Sequence, residues 1–448
     1  MTRHPLPGLA RHRPARPRLA RARLAAALLS VGLLAGLGAG AGGPAMAASA
    51  AGQPGTAGPA NWTGTWAASP QQARPADLTG AGDPTVTGFD DQTVREIVHT
   101  SIGGSALRIH LSNSFGGEVL TVGAVTVGAE GSGADLASPP VAVTFRGGRG
   151  VRIPAGGNAV SDPVRMQVAP LANLAISIYL PDVTGPTTNH DLAEQVNYIS
   201  VPGDHASEPG GQAFSQQAFS WFYLSAVDVR PLAGTAGAVV ALGDSITDGY
   251  QSTTSGNDRW PDVLAARLAG SARPMGVLNE GISGNRVLGD STCFGTSALS
   301  RLNADVLNQA GARTVILLEG INDIGFPLEP DAGCTAPNTA VTPRQIIAGY
   351  QQIIARAHAR GLRVIGATLT PIEGSAYWSA ANEQERLAVN AWIRQSHAFD
   401  GVIDFDQAVR DPADPHRLLP AYDSGDHLHP NDAGYQAMAD AINLALLR

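Results

Sequence analysis

Lysine is missing from this 448-residue chain, and cysteine is nearly missing, with two residues. The lack of lysine excludes no function by itself, but the 30 basic residues are outnumbered by 38 acidic ones, which gives a formal net charge of −8. A nucleic-acid partner is therefore not expected, because binding one needs a basic surface that neutralises phosphates. Aromatic residues are few (5%), yet 44% of the chain is hydrophobic, which excludes a disordered protein.

The chain opens with a basic segment that is followed by an apolar one. Residues 1–23 contain seven arginines and no acidic residue, an apolar run covers about 24–37, and an Ala-Met-Ala pattern ends at Ala47. This order predicts a secretory signal peptide over residues 1–47 and cleavage near Ala47. The apolar run is shorter than the roughly 20 residues of a membrane span, so we expect an extracellular protein without a stable membrane anchor.

The two cysteines are Cys293 and Cys334. An exported chain meets an oxidising compartment, where two cysteines are expected to pair as a disulfide. A metal site is the alternative, although two cysteines do not make one alone.

The middle of the chain is rich in short strand patterns and glycine turns. From the sequence we expect residues 48–60 to form a flexible leader, residues 61–230 an antiparallel β-sandwich, and residues 231–237 a small-residue linker. The strand-like runs are 93–112, 119–127, 141–153, 171–180 and 219–229. In the first run, apolar residues on both sides of Gly103-Gly104 predict a β-hairpin.

Residues 238–448 have a different pattern, in which buried strands alternate with amphipathic helices. One helix is predicted after Thr342 as its cap, with Pro343 in the first helical position and Gly361 as its end. Such alternation predicts a parallel sheet covered on both faces, where ligands bind at the carboxyl ends of the strands.

Four short motifs follow these strands or precede the last helix. They are ALGDSITDG (241–249), NEGISGN (279–285), EGIND (319–323) and DSGDHLHPND (423–432). Ser245 is a candidate nucleophile, since it directly follows a buried strand. His429 could take its proton as general base, and Asp426 could orient the imidazolium that forms. These residue types together indicate acyl transfer.

The same motifs offer hydrogen-bond donors for the negative charge of a tetrahedral intermediate. The candidates are the backbone N–H groups of Ser245 and Gly284 and the side-chain amide of Asn322. Each donor of such an oxyanion hole contributes roughly 3 kcal/mol to transition-state stabilisation.

The four motifs resemble those of the SGNH (GDSL-type) hydrolase superfamily, a group of serine esterases and lipases. Ser245 matches its nucleophile, Gly284 and Asn322 its oxyanion residues, and Asp426 and His429 its closing D-x-x-H pair. The resemblance covers about 237–448 and implies a flavodoxin-like three-layer α/β/α hydrolase domain that needs no metal or organic cofactor. The preceding region is similar to the β-sandwich that accompanies this domain in some secreted carbohydrate esterases.

Other interpretations of these residues remain open. Ser291 lies in a second Gly-Asp-Ser, but no apolar strand precedes it. Asp423 could replace Asp426 as the orienting acid, and Asp426, His427 and His429 could bind a metal, although no distant third ligand is evident.

The function predicted from these residues is that of a secreted, monomeric serine esterase which deacylates a polysaccharide, such as acetylated xylan, or a similar small-acyl ester. A lysophospholipase, a lipase and an aryl or feruloyl esterase are alternatives with the same core chemistry. A non-catalytic secreted carbohydrate-binding protein is an alternative of another class, but it would not need the complete Ser, Gly, Asn, Asp and His set.

A disulfide between Cys293 and Cys334 would tie together the loops that follow Gly284 and Asn322.

Overall fold

The computed structural model describes residues 62–79 and 82–448. The predicted signal peptide (1–47) and leader (48–60) lie outside the described residues. From residue 62 onwards, the described residues belong to one compact unit.

The N-terminal region is built from short antiparallel strands. The strands are β1 (Thr63–Ala67), β2 (Gln71–Gln72), β3 (Gln92–His99), β4 (Gly104–Ser112), β5 (Leu120–Val122), β6 (Ala124–Ala129), β7 (Val141–Val143), β8 (Val151–Ile153), β9 (Asn158–Val160), β10 (Asn173–Leu180), β11 (Thr188–His190), β12 (Asn197–Pro202), β13 (Phe214–Ala218), β14 (Trp221–Phe222) and β15 (Leu224–Pro231). Two short helices, α1 (Ala76–Thr79) and α2 (Pro84–Thr87), lie between β2 and β3.

Two antiparallel sheets of this region pack around one hydrophobic core. One has the order β1-β15-β4-β9 and the other β13-β12-β3-β10-β6-β7. Val98 of β3 and Ile176 of β10 share a buried cluster with Ile109 of β4 and Val227 of β15. The antiparallel β-rich class predicted for this region is therefore confirmed.

The predicted hairpin over 93–112 is wrong, because its two strands lie in different sheets. β3 pairs with β10 and β12, whereas β4 pairs with β15 and β9. Between them, the N–H of Thr100 donates to Ala172 O and that of Ser101 donates to Thr65 O, so the chain crosses from one sheet to the other. Gly104 serves close packing, since a Cβ there would lie 2.5 Å from Arg230 O.

The C-terminal region alternates strands and helices. They are β16 (Ala238–Gly243), α3 (Ser245–Asp248), α4 (Trp260–Ala269), β17 (Gly276–Gly281), α5 (Ala298–Leu302), β18 (Ala312–Leu318), α6 (Ile321–Gly325), α7 (Pro343–His358), β19 (Arg363–Ala367), α8 (Ala380–Gln395), β20 (Gly401–Ile403), α9 (Phe405–Val409) and α10 (Asp432–Asp440). A π-helical turn continues α5 over Asn303–Leu307.

The five C-terminal strands form one parallel sheet in the order β17-β16-β18-β19-β20. This is the flavodoxin-like order, in which strand order reverses beside the first strand and leaves a crevice there. Helix α4 packs with α10, and α7 packs with α8, to cover the sheet. The predicted cap of α7 is confirmed, since Thr342 and Gln345 form a reciprocal capping box.

The two regions are in direct contact along β1 and β17. The N–H of Val277 donates to Ser101 Oγ at 2.9 Å, and that of Gly64 donates to Ala310 O at 2.8 Å. Gly64 leaves room for Leu278, whose side chain would lie 2.7 Å from a Cβ at this position. The exact domain limits stay a prediction.

Candidate active site

The first three sequence motifs lie at the carboxyl ends of β16, β17 and β18, on both sides of the crevice. Ser245 is the first residue of α3, directly after β16, and Asp244 caps that helix by accepting from the N–H of Ile246 at 3.0 Å. The amide of Ser245 therefore has no acceptor within its own helix. The fourth motif precedes α10 and brings its residues to the same edge.

Ser245, His429 and Asp426 form a continuous hydrogen-bonded chain. Ser245 Oγ lies 2.8 Å from His429 Nε2, and His429 Nδ1 lies 2.6 Å from Asp426 Oδ2. Because Nδ1 faces a carboxylate, it carries the ring proton, and Nε2 is left to accept from the serine hydroxyl. This arrangement can transfer the Ser245 proton to the imidazole during nucleophilic attack.

The loop around Asp426 keeps this carboxylate ionised. Burial would raise its pKa, but the His429 ring and the backbone N–H groups of Leu428 and His429 together hold the pKa below the ordinary value. Both N–H groups donate to Asp426 Oδ1, at 2.9 and 2.8 Å. The carboxylate is therefore held in place by the same loop that carries its histidine.

Asp423, the alternative orienting acid, is bonded to a different histidine. Its Oδ2 lies 2.6 Å from His427 Nδ1, and its Oδ1 accepts from the N–H of Gly425 at 2.8 Å. The loop thus contains two separate Asp–His pairs, and the pair that reaches Ser245 is Asp426–His429.

Gly284 occupies a backbone conformation that other residues rarely adopt. Its φ is +78°, and a Cβ there would lie 2.4 Å from the ring of Phe294. Both the left-handed geometry and the close ring require glycine. The motif turn therefore presents backbone rather than side chain beside the aromatic ring.

Asn322 is held from both ends of its amide. Its Nδ2 donates to Asn285 O at 2.8 Å, and its Oδ1 accepts from the hydroxyl of Tyr377 at 2.8 Å. Asn285 directly follows Gly284, so this contact fixes Asn322 to the turn that contains Gly284. Nδ2 has a second hydrogen, for which the hydrogen bonds within 62–79 and 82–448 include no acceptor.

Two tyrosines next to the site were not found from the sequence. Tyr377 orients Asn322 from 55 residues away, in the segment before α8. The ring of Tyr250 packs at an angle of 75° against the ring of His429, with 4.7 Å between the ring centroids, and 38% of Tyr250 is exposed. Tyr250 directly follows the first motif, and this position was the sequence feature that could have indicated its place at the site.

Arg301 lies beneath the site and links the ends of two strands. Its guanidinium donates to Gly243 O at 2.9 Å and to Glu280 O at 2.6 Å, and it forms an ion pair with Asp305 at 3.0 Å. A second carboxyl, Glu319, lies 3.7 Å away. Burial raises the pKa of Glu319 well above its ordinary value.

Cys293 and Cys334 form a disulfide. Ser291, in the second Gly-Asp-Ser, belongs to this loop, since its Oγ donates to Cys334 O at 2.8 Å and accepts from the N–H of Cys293 at 3.2 Å. The bond therefore joins the loop that carries Phe294 to the segment after α6.

The described residues include neither a group of side chains that could hold a metal ion nor a helix that could cross a membrane. Over residues 62–79 and 82–448, no group of three or more His, Cys, Asp and Glu side chains is placed to hold a metal ion. The helices in this part of the chain include none with the length and apolarity that a membrane crossing requires.

Comparison with known proteins identifies the family. Residues 241–437 match the profile of the GDSL-like Lipase/Acylhydrolase family. No curated protein matches the chain.

Similar solved structures cover about half of the chain. A GDSL-like lipase from Bacteroides thetaiotaomicron VPI-5482 is 24% identical over 47% of this chain and 87% of its own, with a TM-score of 0.33. A hydrolase from the metagenome of Lake Arreo, Spain, is 23% identical over 47% and 96%, with a TM-score of 0.37. A mutant acetyl-xylooligosaccharide esterase from Geobacillus Stearmophilus is 20% identical over 46% and 93%, with a TM-score of 0.36.

The matched region contains all four motifs that surround Ser245. Residues 241–437 belong to the GDSL-like lipase/acylhydrolase family, and the chain is a carboxylic ester hydrolase.

Proposed function

We propose that this protein is a secreted serine esterase that hydrolyses small-acyl esters of a polysaccharide through an acyl-enzyme on Ser245. The observation that carries the proposal is the hydrogen-bonded chain from Ser245 through His429 to Asp426. A serine hydroxyl becomes nucleophilic when an adjacent base takes its proton, and a carboxylate fixes the orientation of that base.

The reaction has two halves. Ser245 Oγ attacks the ester carbonyl carbon while its proton moves to His429 Nε2, which then protonates the leaving alcohol as the C–O bond breaks. Water attacks the acyl-enzyme in the second half, with His429 again taking a proton. The carboxylic acid leaves and the serine hydroxyl is restored. Asp426 stays ionised and stabilises the imidazolium in both halves.

Three donors would stabilise the oxyanion of each tetrahedral intermediate. They are the N–H of Ser245, the N–H of Gly284 and the free hydrogen of Asn322 Nδ2. The contact between Asn322 and Asn285 supports a common position for the last two, since Asn285 follows Gly284. Donors that are already held in place cost no reorganisation during the reaction.

The surroundings of these donors favour a short acyl group. Phe294 packs over Gly284, Phe326 lies 5.4 Å from Phe294 between ring centroids, and Tyr377 lies 5.9 Å from Phe326. These three rings occupy space beside two of the proposed donors, so an acyl chain that extended to this side of the site would have little room. An acetyl group needs little room there, whereas a long chain needs a channel.

The alcohol side is more open. The exposed ring of Tyr250 lies against His429, the residue that protonates the leaving alcohol. An aromatic ring that is partly open to water suits a sugar ring, which is amphipathic. The negative charge of the chain disfavours an anionic membrane surface as the substrate. Export through the predicted signal peptide, and the disulfide, support an extracellular substrate.

A substrate panel tests the proposal. Acetylated xylan, p-nitrophenyl acetate, p-nitrophenyl palmitate, methyl ferulate and lysophosphatidylcholine are assayed with the wild type, Ser245→Ala and Ser291→Ala. We expect kcat/KM for acetyl esters to exceed that for palmitate at least 100-fold, Ser245→Ala to be inactive, and Ser291→Ala to keep at least a tenth of kcat. A preference for palmitate or lysophospholipid would contradict the substrate class, and an active Ser245→Ala variant would contradict the mechanism.

A further inference from the structure

A small antiparallel sheet of the N-terminal region reaches the active-site loops of the hydrolase region. It has the order β14-β11-β2 and is separate from the two larger sheets. Its strand β11 ends at His190, whose side chain is only 3% exposed. This histidine lies between the two regions of the chain.

All hydrogen-bond partners of His190 are acceptors. Its Nδ1 lies 3.0 Å from Ser69 O, and its Nε2 lies 3.1 Å from both Leu192 O and Asp248 Oδ1. Both ring nitrogens must therefore donate, which requires the imidazolium form. Burial would lower the pKa of His190, but Asp248 and Ser69 O raise the pKa above its ordinary value. His190 and Asp248 are thus a buried, oppositely charged pair.

The other oxygen of Asp248 holds the turn of the second motif. Asp248 Oδ2 accepts from the N–H and from the Oγ of Ser283, both at 2.8 Å. Ser283 directly precedes Gly284, and Asp248 is the last residue of the helix that begins at Ser245. One carboxylate therefore connects His190, the nucleophile helix and the Gly284 turn.

Two glutamines of β2 hold the neighbouring disulfide loop. Gln71 Nε2 donates to Cys293 O at 3.3 Å, and Gln72 Nε2 donates to Thr292 O at 2.8 Å. This loop carries the Phe294 ring that packs over Gly284. The small sheet thus contacts the surroundings of Gly284 from two directions.

We propose that His190 of the N-terminal region is a positioning residue for ester hydrolysis, which acts through Asp248 and Ser283 to hold the N–H of Gly284 in the oxyanion hole. The proposal rests on the proposed function, because Gly284 matters in this way only if an oxyanion forms. It also assigns a role to the small sheet of the N-terminal region, which completes the support of the loops around Ser245 and Gly284.

Loss of His190 should affect kcat more than KM. Without the imidazolium, Asp248 loses its buried counter-charge and its carboxylate can rotate or draw in water, which loosens the Ser283–Gly284 turn. Small misplacements of a donor reduce rate strongly, because its interaction develops fully only in the transition state. We expect His190→Ala to lower kcat about 10-fold, with KM changed less than about 2-fold.

A matched control exists within the same region. His110 also pairs with a buried carboxylate, since its Nε2 lies 2.8 Å from Asp228 Oδ2. Both partners lie on strands of the four-stranded sheet, β4 and β15. His110→Ala should therefore lower the melting temperature without a selective loss of kcat.

The experiment compares His190→Ala, His190→Gln and His110→Ala with the wild type in full-length protein. Turnover of p-nitrophenyl acetate and thermal melting are both measured. Gln keeps an N–H donor at the place of Nε2 but lacks the positive charge of the imidazolium, so it should recover part, and not all, of the kcat lost with Ala. If His190→Ala does not fold, His190→Gln against His110→Ala supplies the same comparison. Equal kcat values in His190 and His110 variants would overturn the proposal.

A double-mutant cycle with Ser283→Ala tests the route through Asp248. Ser283→Ala removes one of the two bonds from Asp248 Oδ2, so its effect should overlap with that of His190→Ala and the two should combine less than additively. Fully additive effects would overturn the route. An inactive wild type would contradict the proposed function, whereas an active wild type with unaffected His190 variants would contradict only the positioning role.

Discussion

Asp426 Oδ2 lies 2.6 Å from His429 Nδ1, and three residues earlier Asp423 Oδ2 lies at the same distance from His427 Nδ1. The two Asp–His pairs have the same chemistry, but of the two histidine rings it is that of His429 that contacts Ser245. The Asp423–His427 pair therefore provides a control for substitutions in the Asp426–His429 pair.

Asp426→Asn should lower kcat about 10³- to 10⁴-fold, because Asn can stabilise neither the required tautomer nor the imidazolium. The matched variant Asp423→Asn should lower kcat less than about 3-fold, since His427 has no contact with the nucleophile. Steady-state kinetics on p-nitrophenyl acetate compares them. Equal losses of kcat in the two variants would show that Asp426 is not the orienting acid.

Asn322→Ala should lower kcat about 10²- to 10³-fold through loss of an oxyanion donor. Tyr377→Phe keeps the ring but frees Asn322 Oδ1, so a smaller loss of about 3- to 10-fold in kcat is expected. Tyr179→Phe is the matched control, since its hydroxyl bonds Asp91 in the N-terminal region. A Tyr377→Phe enzyme with the kcat of Tyr179→Phe would show that Asn322 needs no such support.

Removing the disulfide between Cys293 and Cys334 should lower the activity of the enzyme but leave its fold intact. The bond closes a loop of 41 residues, worth at most about 4 kcal/mol in the chain-entropy model. We expect Cys293→Ala/Cys334→Ala to keep its circular dichroism spectrum, melt at a lower temperature and lose kcat, because Phe294 beside Gly284 is then less firmly held. Unchanged kinetic constants would refute a role of this bond in the site.

Thermal stability should fall as the pH rises from about 4 to about 7. Burial raises the pKa of Asp244 from 3.8 to about 7, and its buried Oδ2 has no hydrogen-bond partner among residues 62–79 and 82–448. A carboxyl with a higher pKa in the folded state binds more protons when folded, so stability decreases as pH rises from about 4 to about 7.

Asp244→Asn tests this origin, since Asn keeps the Oδ1 acceptor for Ile246 but does not titrate. Calorimetry across the pH range should show a flatter dependence of the melting temperature for the variant than for the wild type. If the melting temperature had the same pH dependence in both proteins, Asp244 would not be the group responsible.

The residues at the site could be located from sequence because each lies in a short motif with fixed local geometry. Ser245 is the first helical residue after a strand, Gly284 has a positive φ, and Asp426 and His429 lie three residues apart on one loop. Their meeting also follows from a general rule, since the strands of a parallel sheet bring their carboxyl ends to one edge.

The supporting contacts could not be predicted in this way. His190 meets Asp248 across 58 residues, and Tyr377 meets Asn322 across 55. Both depend on how whole elements pack, for which the local pattern has no signal. The hairpin prediction around Gly103-Gly104 failed for the same reason, because alternation marks strands but does not decide which sheet each strand joins.

Covalent labelling of the nucleophile tests the central claim most directly. A p-nitrophenyl alkylphosphonate should form an Oγ–P bond with Ser245 and release one p-nitrophenolate per enzyme, and peptide mass mapping should locate the adduct. We predict stoichiometric release, an adduct on the peptide that contains Ser245, and no labelling of Ser245→Ala. An unlabelled wild-type enzyme, or an adduct on Ser291, would contradict the account.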